Sequence, residues 1–353
     1  MRKVLHVKTI DTPFIQIDEQ ILKNNFEVIS YHFEQTGNPF KTLINCLKLI
    51  KFLFSNINSF EVIFIMFVDY FTPILGIFSK MFKKKFIVAV GGYDAVSFPD
   101  FELGVFSSRL KAKCATITYR CADYILPNHE TLEYGINTYI DNKIRYLGVK
   151  YFVPNLKAKF KIVYNGYYKD YAKEKLCNDK DDKMCLLVGR VSSIADFYRK
   201  GHDLLIAEEK KMPQYDFYIV GLEGKILRYA KNMFKTDQVK NLKIIGSLKP
   251  AKLKKLFQKA KLIVQPSISE GMPNTLCEAM LHKCIPVGSN VNGIPLAIGD
   301  TGIVFEKRNS AQLTRAIEKA FSLNSGNSAR RRILENFSFE RRESEIARII
   351  EEC

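Results

Sequence analysis

The sequence predicts an α/β protein built from two doubly wound, parallel-sheet domains. Short apolar runs alternate with longer helical patterns, which is typical of a parallel sheet covered on both faces. This alternation restarts after residues 167–183, a segment rich in Lys, Asp and Tyr. The chain has 353 residues, whereas single cores stop growing at about 250–300 residues. We therefore predict domains over residues 1–166 and 184–336, joined by a linker over 167–183.

Six strands are predicted in the first half of the chain, each from a short apolar run. They cover residues 3–7, 27–31, 62–67, 86–90, 124–126 and 161–164. Helical patterns fall between them at residues 41–54, 70–81 and 107–120. Because parallel strands need long crossover connections, these helices are expected to cover the faces of one sheet.

The same arrangement is predicted for the second half, followed by a terminal helix. The strands cover residues 184–188, 216–220, 242–245, 262–265 and 285–288. The helices cover residues 202–211, 225–234, 250–259 and 275–283. Residues 337–352 have the pattern of a charged amphipathic helix, which makes 337–353 a final segment. Ligands of open parallel sheets bind beyond the carboxyl ends of the strands, so the loops that follow the strands should carry the function.

The charge of the chain favours polyanionic partners. A formal net charge of +17 attracts nucleic acid, anionic lipid or phosphorylated substrates. No nucleic-acid-binding module is recognisable and the basic residues are spread along the chain, so nucleic acid is not predicted as a partner. A nicotinamide-dependent oxidoreductase is disfavoured because no G-x-G-x-x-G motif follows an early strand.

Neither a metal site nor a membrane span is predicted. The eight cysteines form no C-x-x-C pair and the five histidines are scattered, so we expect free thiols in a reducing cytosol and no bound metal. The first residues lack the apolar stretch of a signal peptide. The most apolar window, 62–79, is interrupted by Asp69 and Pro73. A cytoplasmic protein without a transmembrane segment is expected.

The strongest chemical feature is a loop that leads into a helix. A predicted strand ends at residue 265, and a helix is expected to begin near Asn274 or Thr275. Between them stands the glycine-containing sequence S-I-S-E-G-M-P at 267–273. The free backbone N–H groups of the helix N-terminus, with the helix dipole behind them, can hold a diphosphate.

Two carboxylates bracket this loop. Glu270 lies within it, and Glu278 lies one turn into the helix. Carboxylates accept hydrogen bonds from hydroxyl groups, so the pair can hold the two hydroxyl-rich ends of a sugar nucleotide. The alternative is that Thr275 and Glu278 form a capping box, in which Glu278 only satisfies a backbone donor. That alternative leaves Glu270, Gly271 and Pro273 unexplained.

Two cations are predicted at the same edge of the sheet. Gly189 and Arg190 end a strand, and Lys200 and Gly201 open a helix ten residues further on. A leaving nucleoside diphosphate develops negative charge, which fixed cations stabilise. Ordinary surface cations of a basic protein are the alternative.

With these residues, the sequence resembles the retaining glycosyltransferases of family 4, which have the GT-B fold. The resemblance rests on E-G-M-P-N-T-L-C-E-A-M at 270–280, preceded by G-R and K-G. Further matches are Y-I-V-G at 218–221, I-I-G-S-L at 244–248, V-Y-N-G at 163–166 and F-S-F-E-R at 337–341. The resemblance implies two Rossmann-like domains facing each other across a cleft, with nucleotide sugar in the second, acceptor in the first, and a terminal helix that returns to the first.

The resemblance implies a role for each matched residue. Arg190 and Lys200 would bind the donor diphosphate, with Arg199 as the alternative because the spacing is longer than usual. Glu270 would contact the donor sugar as a catalytic residue, and Glu278 the ribose. The other implied donor-binding residues are Gly271, Met272, Pro273, Asn274, Thr275, Gly221, Ser247 and Leu248. Such enzymes need no metal, and the nucleotide-diphosphate sugar is a co-substrate rather than a cofactor.

In the first domain, Gly91, Gly92, Tyr93 and Asp94 stand where many relatives carry a histidine. Two glycines after a strand permit close approach of a ligand, so we predict acceptor binding by Gly91, Gly92 and Tyr93. Asp94 is the first candidate for a catalytic base. The alternative is a tight turn in which Asp94 only caps the next segment.

A membrane surface is predicted as a further partner. Helix 41–54 carries the apolar residues Leu43, Ile44, Leu47, Ile50, Leu53 and Phe54, and residues 80–85 are basic. This pattern favours contact with anionic lipid at the inner face of the plasma membrane, whereas an ordinary helix packed on the sheet is the alternative.

The sequence thus predicts a retaining, metal-independent glycosyltransferase. It would move a sugar from a nucleotide-diphosphate sugar to a lipid-linked or surface-polysaccharide glycan. The alternative function is a catalytically degenerate GT-B scaffold that binds nucleotide sugar without turnover.

Overall fold

The computed structural model describes residues 1–9, 12–141, 143–167, 180–236 and 239–353. Most of the predicted linker, 167–183, lies outside these residues. The chain divides into two compact units. The first comprises Met1–Gly135, Tyr146–Gly166 and Phe339–Cys353, and the second comprises Ile136–Arg145 and Tyr167–Ser338.

The first unit alternates strands and helices along the chain. Its elements are β1 (Lys3–Lys8), α1 (Pro13–Asn25), β2 (Glu27–His32), α2 (Pro39–Ser55), β3 (Val62–Met66), α3 (Thr72–Met81), β4 (Lys85–Val90), α4 (Arg109–Cys121), β5 (Tyr124–Pro127), α5 (Glu130–Glu133), α6 (Val149–Phe152), β8 (Lys159–Phe160) and α15 (Phe339–Glu351). Short 3-10 turns cover Tyr93–Ala95, Pro99–Phe101 and Val105–Ser107. Two short strands, β6 (Gly135–Asn137) and β7 (Arg145–Leu147), flank the segment that groups with the second unit.

The sheet of the first unit is six-stranded and parallel. Its order is β2-β1-β3-β4-β5-β8. Right-handed crossovers in this order put α2, α3 and α4 on one face and α1 on the other, where α15 packs against it. Every residue of β3 is buried, as expected for a strand covered on both faces.

The last strand of this sheet differs from the prediction. Residues 161–164 are not a strand, and β8 ends at Phe160. Lys161 and Val163 still donate backbone hydrogen bonds to Ile125 and Pro127. Pro127 has no N–H to return a bond, so the ladder is one-sided beyond β8.

The second unit repeats the alternation. Its elements are β9 (Asp181–Val188), α7 (Ile194–Arg199), α8 (His202–Glu208), β10 (Asp216–Val220), α9 (Gly224–Phe234), β11 (Leu242–Ile245), α10 (Pro250–Lys259), β12 (Ala260–Gln265), α11 (Asn274–Leu281), β13 (Ile285–Ser289), α12 (Ile294–Ile298), β14 (Ile303–Phe305), α13 (Ser310–Phe321) and α14 (Gly326–Asn336). The predicted helix 202–211 ends at Glu208 and continues as the 3-10 turn Glu209–Lys211.

The second sheet is also six-stranded and parallel, with the order β11-β10-β9-β12-β13-β14. The chain runs outward in one direction from β9 to β11 and in the other from β12 to β14. The strand order therefore reverses between β9 and β12, which is the position where open sheets form a ligand-binding crevice. The prediction of two parallel-sheet, Rossmann-like α/β domains is confirmed.

Strand β9 begins three residues earlier than predicted, at Asp181. Its charged start pairs with β12, where Lys261 lies 3.1 Å from a carboxylate oxygen of Asp182. Lys259, the last residue of α10, lies 4.0 Å from a carboxylate oxygen of Asp181. Opposite charges across neighbouring strands stabilise such pairing, and a single strand sequence does not reveal them.

In the described ranges, no helix combines the length and apolar character needed to cross a membrane.

Candidate functional site

The carboxyl ends of four adjacent strands form one edge of the second unit. Strands β11, β10, β9 and β12 neighbour one another, and the predicted donor-binding residues follow them. At this edge Gly221 has a φ of 111°, and a Cβ there would lie 2.3 Å from the carbonyl oxygen of Gly189. Only glycine allows the two strand ends to approach so closely.

The predicted cations occupy different environments at this edge. Arg190 is exposed immediately after β9, whereas the Lys200 side chain is only 20 % exposed. The stem of Lys200 lies beside Gly189, where a Cβ would come within 2.8 Å of its Cδ. The residues between the two cations form the short helix α7, which accounts for the longer spacing.

Arg199, the alternative to Lys200, is already engaged. Its Nε and Nη2 donate to Oδ1 of Asp196 at 3.1 and 2.8 Å. This ion pair is internal to α7, so the geometry favours Lys200 as the cation that is left to face a ligand.

Glu270 is held by two side chains that the sequence interpretation missed. Its Oε1 accepts hydrogen bonds from Nε2 of Gln265 at 3.1 Å and from Oγ of Ser267 at 2.9 Å. Nζ of Lys200 lies 3.9 Å from the same oxygen. The carboxylate is therefore oriented before any ligand binds, with a cation beside it.

The loop that carries Glu270 is supported from two sides. Oδ1 of Asn292 accepts from the backbone N–H of Glu270 at 3.2 Å, and Nδ2 of Asn137 donates to the carbonyl of Ile268 at 2.8 Å. The position of these residues, far away in sequence, explains why the loop motif alone did not identify them.

Helix α11 begins at Asn274 without a capping side chain. Pro273 occupies the N-cap and makes no side-chain hydrogen bond to the first turn. The hydroxyl group of Tyr167 donates to Oδ1 of Asn274 at 2.9 Å, which fixes the helix start. The capping-box alternative, with Thr275 as N-cap, is wrong because the N-cap is Pro273 and the helix starts two residues earlier than that motif requires.

Glu278 lies partly buried in the middle of α11. Among the described residues, its carboxylate has neither a hydrogen-bond donor nor a cation as a partner. Burial without such a partner disfavours the charged form and raises the pKa of Glu278 to about 7. A perturbed carboxyl group one turn into a helix at a switch point has the character of a ligand-binding group.

The ends of β10 and β11 complete this edge. Ser247 is exposed and Leu248 is partly buried. The carboxylate of Glu223 accepts the backbone N–H of Ser247, and this bond is the main reason that the pKa of Glu223 lies below its usual value. Arg190 adds to the same effect. Thus the loop after β11 is tied to the loop after β10.

The predicted acceptor residues lie in the first unit, after β4. Gly92 has a φ of 134°, and a Cβ at Gly91 would lie 2.3 Å from the ring of Phe67. Oδ1 of Asp94 accepts both backbone N–H groups of Gly91 and Gly92 at 3.1 Å. Asp94 is completely buried, and this burial raises its pKa to about 6. In this geometry Asp94 shapes the turn, so a direct role as catalytic base remains only a prediction.

A cavity of about 400 Å³ lies at the carboxyl ends of β2 and β3 in the first unit. Its polar residues include Gln35, Thr42, Asp69 and Lys111. Nζ of Lys111 lies 3.4 Å from Oδ1 of Asp69 and donates to the hydroxyl group of Tyr93 at 3.0 Å. This cavity thereby connects to the predicted acceptor residues through Tyr93.

Within the part of the chain that the structure describes, no group of three or more His, Cys, Asp or Glu residues could hold a metal ion. The seven described cysteines are free thiols.

Comparison with known proteins shows that part of the chain is similar to a known family. Residues 169–337 match the family model described as glycosyl transferases group 1. An uncharacterized glycosyltransferase of Methanocaldococcus jannaschii is 26 % identical over 207 residues, which are 56 % of this chain and 55 % of that protein. The chain thus spans about half the length of this curated relative.

Solved structures match over the whole chain. Sucrose-phosphate synthase from Thermosynechococcus elongatus has a TM-score of 0.74 at 13 % identity, covering 100 % of this chain and 99 % of that one. HepE from Anabaena in complex with UDP-glucose has a TM-score of 0.71 at 14 % identity, covering 100 % of both chains. The predicted GT-B fold class is confirmed by these likenesses.

Proposed function

We propose that this chain, whose residues 169–337 match the group 1 glycosyltransferases, transfers a sugar from a nucleotide-diphosphate sugar to an acceptor. The donor would bind at the carboxyl ends of β9 to β12. Arg190, Lys200 and the first turn of α11 would hold the diphosphate, Glu278 the ribose hydroxyls and Glu270 the sugar.

The observation that carries this proposal is the partly buried carboxylate of Glu278, one turn beyond the start of α11. The helix has no capping side chain, and Glu278 is partly buried without a partner among the described residues. A diphosphate accepts hydrogen bonds from helix N–H groups, and ribose hydroxyls donate to a carboxylate. A single ligand that carries a diphosphate and a ribose would therefore bind the start of α11 and Glu278 together.

We further propose that the reaction proceeds with retention and without a metal. The resemblance of residues 270–280 to retaining enzymes supports the stereochemistry. Lys200, held beside Glu270, and Arg190 can stabilise the charge that develops on the leaving diphosphate. The anomeric configuration of the product, read by NMR coupling constants, tests retention. Activity that survives EDTA tests metal independence.

For the acceptor we propose a lipid-linked or surface-polysaccharide glycan, used at the cytoplasmic face of a membrane. In the cavity, the carboxylate of Asp69 can accept a hydrogen bond from a glycan hydroxyl group, and Lys111 supplies a cation. HepE was solved with UDP-glucose, and UDP-glucose is therefore the first donor that we would pair with a panel of lipid-linked glycans.

The test of the donor site is a thermal-shift screen against UDP, GDP, ADP and dTDP, with and without EDTA. A nucleotide that binds the folded state raises the melting temperature by mass action. We expect one base to stabilise the wild type irrespective of EDTA and to stabilise Glu278→Ala much less. Glu318→Ala, an exposed carboxylate on α13, serves as the matched control and should keep the wild-type shift.

The second candidate function is a degenerate scaffold that binds nucleotide sugar without turnover. The complete burial of Asp94, the predicted base, favours it. A nucleotide-dependent shift without release of nucleotide from any donor, in the presence of the acceptor panel, would support this alternative. Absence of any shift contradicts both candidates.

A further inference from the structure

We propose that the face of the first unit formed by α2, α3 and α4 docks on an anionic lipid bilayer. The proposal concerns an interaction surface and does not depend on sugar transfer. We call this surface the docking face.

The docking face exposes large apolar side chains on three consecutive helices. Each is between 42 and 79 % exposed, although chains of this size normally bury most such residues. On α2 they are Phe40, Leu43, Ile44, Leu47 and Phe54, on α3 Ile77 and Met81, and on α4 Leu110 and Ile117. Because α2, α3 and α4 cover the same side of the sheet, these residues share one face of the unit.

Helix α2 is apolar on two opposite sides. Leu49 and Leu53 are fully buried, so packing on the sheet explains one side. Phe40 precedes Leu49 by nine residues, or about two and a half helical turns, and so points away from the sheet. The alternative interpretation of the sequence was an ordinary helix packed on the sheet. Such packing accounts for only half of the apolar residues of α2. In the other half, Phe54 contacts the rings of Phe78 and Phe82, whereas Phe40, Leu43, Ile44 and Leu47 are 50 to 79 % exposed.

The charge of the docking face identifies its partner. Helices α2, α3 and α4 together carry eight Lys and Arg residues and no Asp or Glu. On the opposite face, α1 and α15 carry six acidic and four basic residues. Among these five helices, the excess of positive charge therefore lies on the side that exposes apolar groups.

A lipid surface is the partner that fits both properties. Lysine side chains attract anionic headgroups, while apolar side chains insert at the boundary with the acyl chains. Lys48 and Lys51 are exposed on α2 between and beside the apolar residues, where their ammonium groups can reach a headgroup layer. A second protein copy would bring the same excess of lysines against itself, which disfavours self-association through this face.

Docking has a consequence for the cavity of the first unit. Thr42, in the first turn of α2, lines the cavity, and the exposed Leu43 follows it directly. A bilayer bound to α2 would therefore lie next to the cavity that contains Asp69 and Lys111. An acceptor with a lipid tail could enter that cavity without leaving the membrane.

The test is sedimentation of the full chain with two kinds of vesicle, in the absence of donor and acceptor. One kind is pure phosphatidylcholine, and the other contains phosphatidylglycerol as the anionic lipid. We expect binding to the anionic vesicles at low salt and loss of most of it at high salt, because screening weakens the lysine contribution. Leu43→Gln combined with Leu47→Gln should lower the partition coefficient about tenfold or more, since both side chains lose apolar contact with lipid.

Matched controls separate the docking face from general charge and hydrophobicity. Ile144→Gln combined with Met233→Gln removes two equally exposed apolar residues of the second unit and should not change binding. Lys48→Glu should weaken binding at low salt about tenfold or more, whereas Lys23→Glu on α1 should not. All these positions are exposed, and circular dichroism verifies that each variant folds.

Three outcomes would overturn the proposal. The first is no binding to anionic vesicles at low salt. The second is binding that the α2 variants leave unchanged. The third is a wild-type dimer, seen by analytical ultracentrifugation, that Leu43→Gln and Leu47→Gln convert to a monomer while vesicle binding is absent. None of them bears on the nucleotide screen, so failure of docking and failure of the donor site remain distinguishable.

Discussion

Nζ of Lys200 lies 3.9 Å from Oε1 of Glu270, across the point where the order of the second sheet reverses. Lys200 follows β9 and Glu270 follows β12, so the two residues meet only because these strands are neighbours. The pair is too long for a strong hydrogen bond, and Gln265 and Ser267 already hold the carboxylate. The ammonium group can therefore turn to an incoming phosphate at little cost.

We first predict that Lys200→Ala weakens binding of a nucleoside diphosphate about tenfold to a hundredfold. A hydrogen bond to a charged group contributes about 1.5–3 kcal/mol, and Ala removes it. Binding of the corresponding nucleoside monophosphate should change less. Isothermal titration calorimetry with both nucleotides measures the difference.

Arg199→Ala is the control for that experiment. Arg199 is paired with Asp196 within α7, so its loss should leave diphosphate affinity near the wild-type value. A larger loss of affinity in Arg199→Ala than in Lys200→Ala would mean that the two cations were assigned the wrong way round.

The second prediction concerns the contact between Gly221 and Gly189. Gly221→Ala puts a Cβ 2.3 Å from a backbone oxygen at a φ of 111°, and should destabilise the fold by about 2 kcal/mol or more. Gly224→Ala also has a positive φ but meets no atom within 4 Å, so it should cost only about 1 kcal/mol. Urea denaturation of both variants measures the two costs, and equal values would contradict the argument from close approach.

The sequence predicted the parallel sheets well because apolar runs mark buried strands. The bounds of β10, β11 and α10 agree with the predicted ranges 216–220, 242–245 and 250–259. The charged start of β9 was missed, since it is stabilised by Lys259 at the end of α10 and by Lys261 of β12. The elements between residues 289 and 337 were not assigned, although α13 there has the buried face of an amphipathic helix.

The candidate site was only partly predictable for a related reason. The loop motif identified Glu270 and Glu278 by residue type and position, but not Gln265, Ser267 or Asn292, which orient the loop through side-chain bonds. Such supporting residues have no motif of their own. The same limit applies to Asp94, whose complete burial depends on the surrounding fold.

The third prediction concerns the attachment of α15 to α1 in the first unit. Nε and Nη2 of Arg342 donate to the two carboxylate oxygens of Asp18 at 2.7 and 2.9 Å, and both residues are buried. Asp18→Asn should lower the free energy of unfolding by about 3–5 kcal/mol, because the guanidinium group stays buried without its counter-charge. Glu345→Gln, which breaks the more exposed pair with Arg341, should cost less than about 1 kcal/mol. Chemical denaturation measures both, and similar costs would contradict a buried ion pair.

The fourth prediction separates the two roles of Asp94. Asp94→Asn keeps an oxygen that can accept the N–H groups of Gly91 and Gly92, so a turn-shaping residue should retain donor hydrolysis within about tenfold. Asp94→Ala leaves both N–H groups without this acceptor and should destabilise the unit. A catalytic base would instead lose about a hundredfold to ten-thousandfold in Asp94→Asn. Nucleotide release from the donor in water, measured alongside melting temperature, distinguishes the two results.

The last prediction uses the pKa of Glu278, which burial raises from 4.5 to about 7. In the unfolded chain this carboxyl ionises near pH 4.5, whereas the fold resists its ionisation until about pH 7. The folded state therefore binds more protons in this window, and stability falls as the pH rises from about 4.5 to about 7. Glu278→Gln has no such loss, so it should be more stable than the wild type at pH 8, by up to about 3 kcal/mol, and nearly equal to it at pH 4.5. Urea denaturation at the two pH values measures this difference.

Glu318→Gln, at an exposed position of α13, is the control and should follow the wild type at both pH values. With the bound nucleotide, the wild type should become more stable than Glu278→Gln at pH 8. Ribose hydroxyl groups donate stronger hydrogen bonds to the Glu278 carboxylate than to the amide of the variant. A wild type whose stability relative to Glu278→Gln does not change with pH would mean that Glu278 is solvated or paired. The main physical argument for a ribose-binding carboxylate in this helix would then be lost.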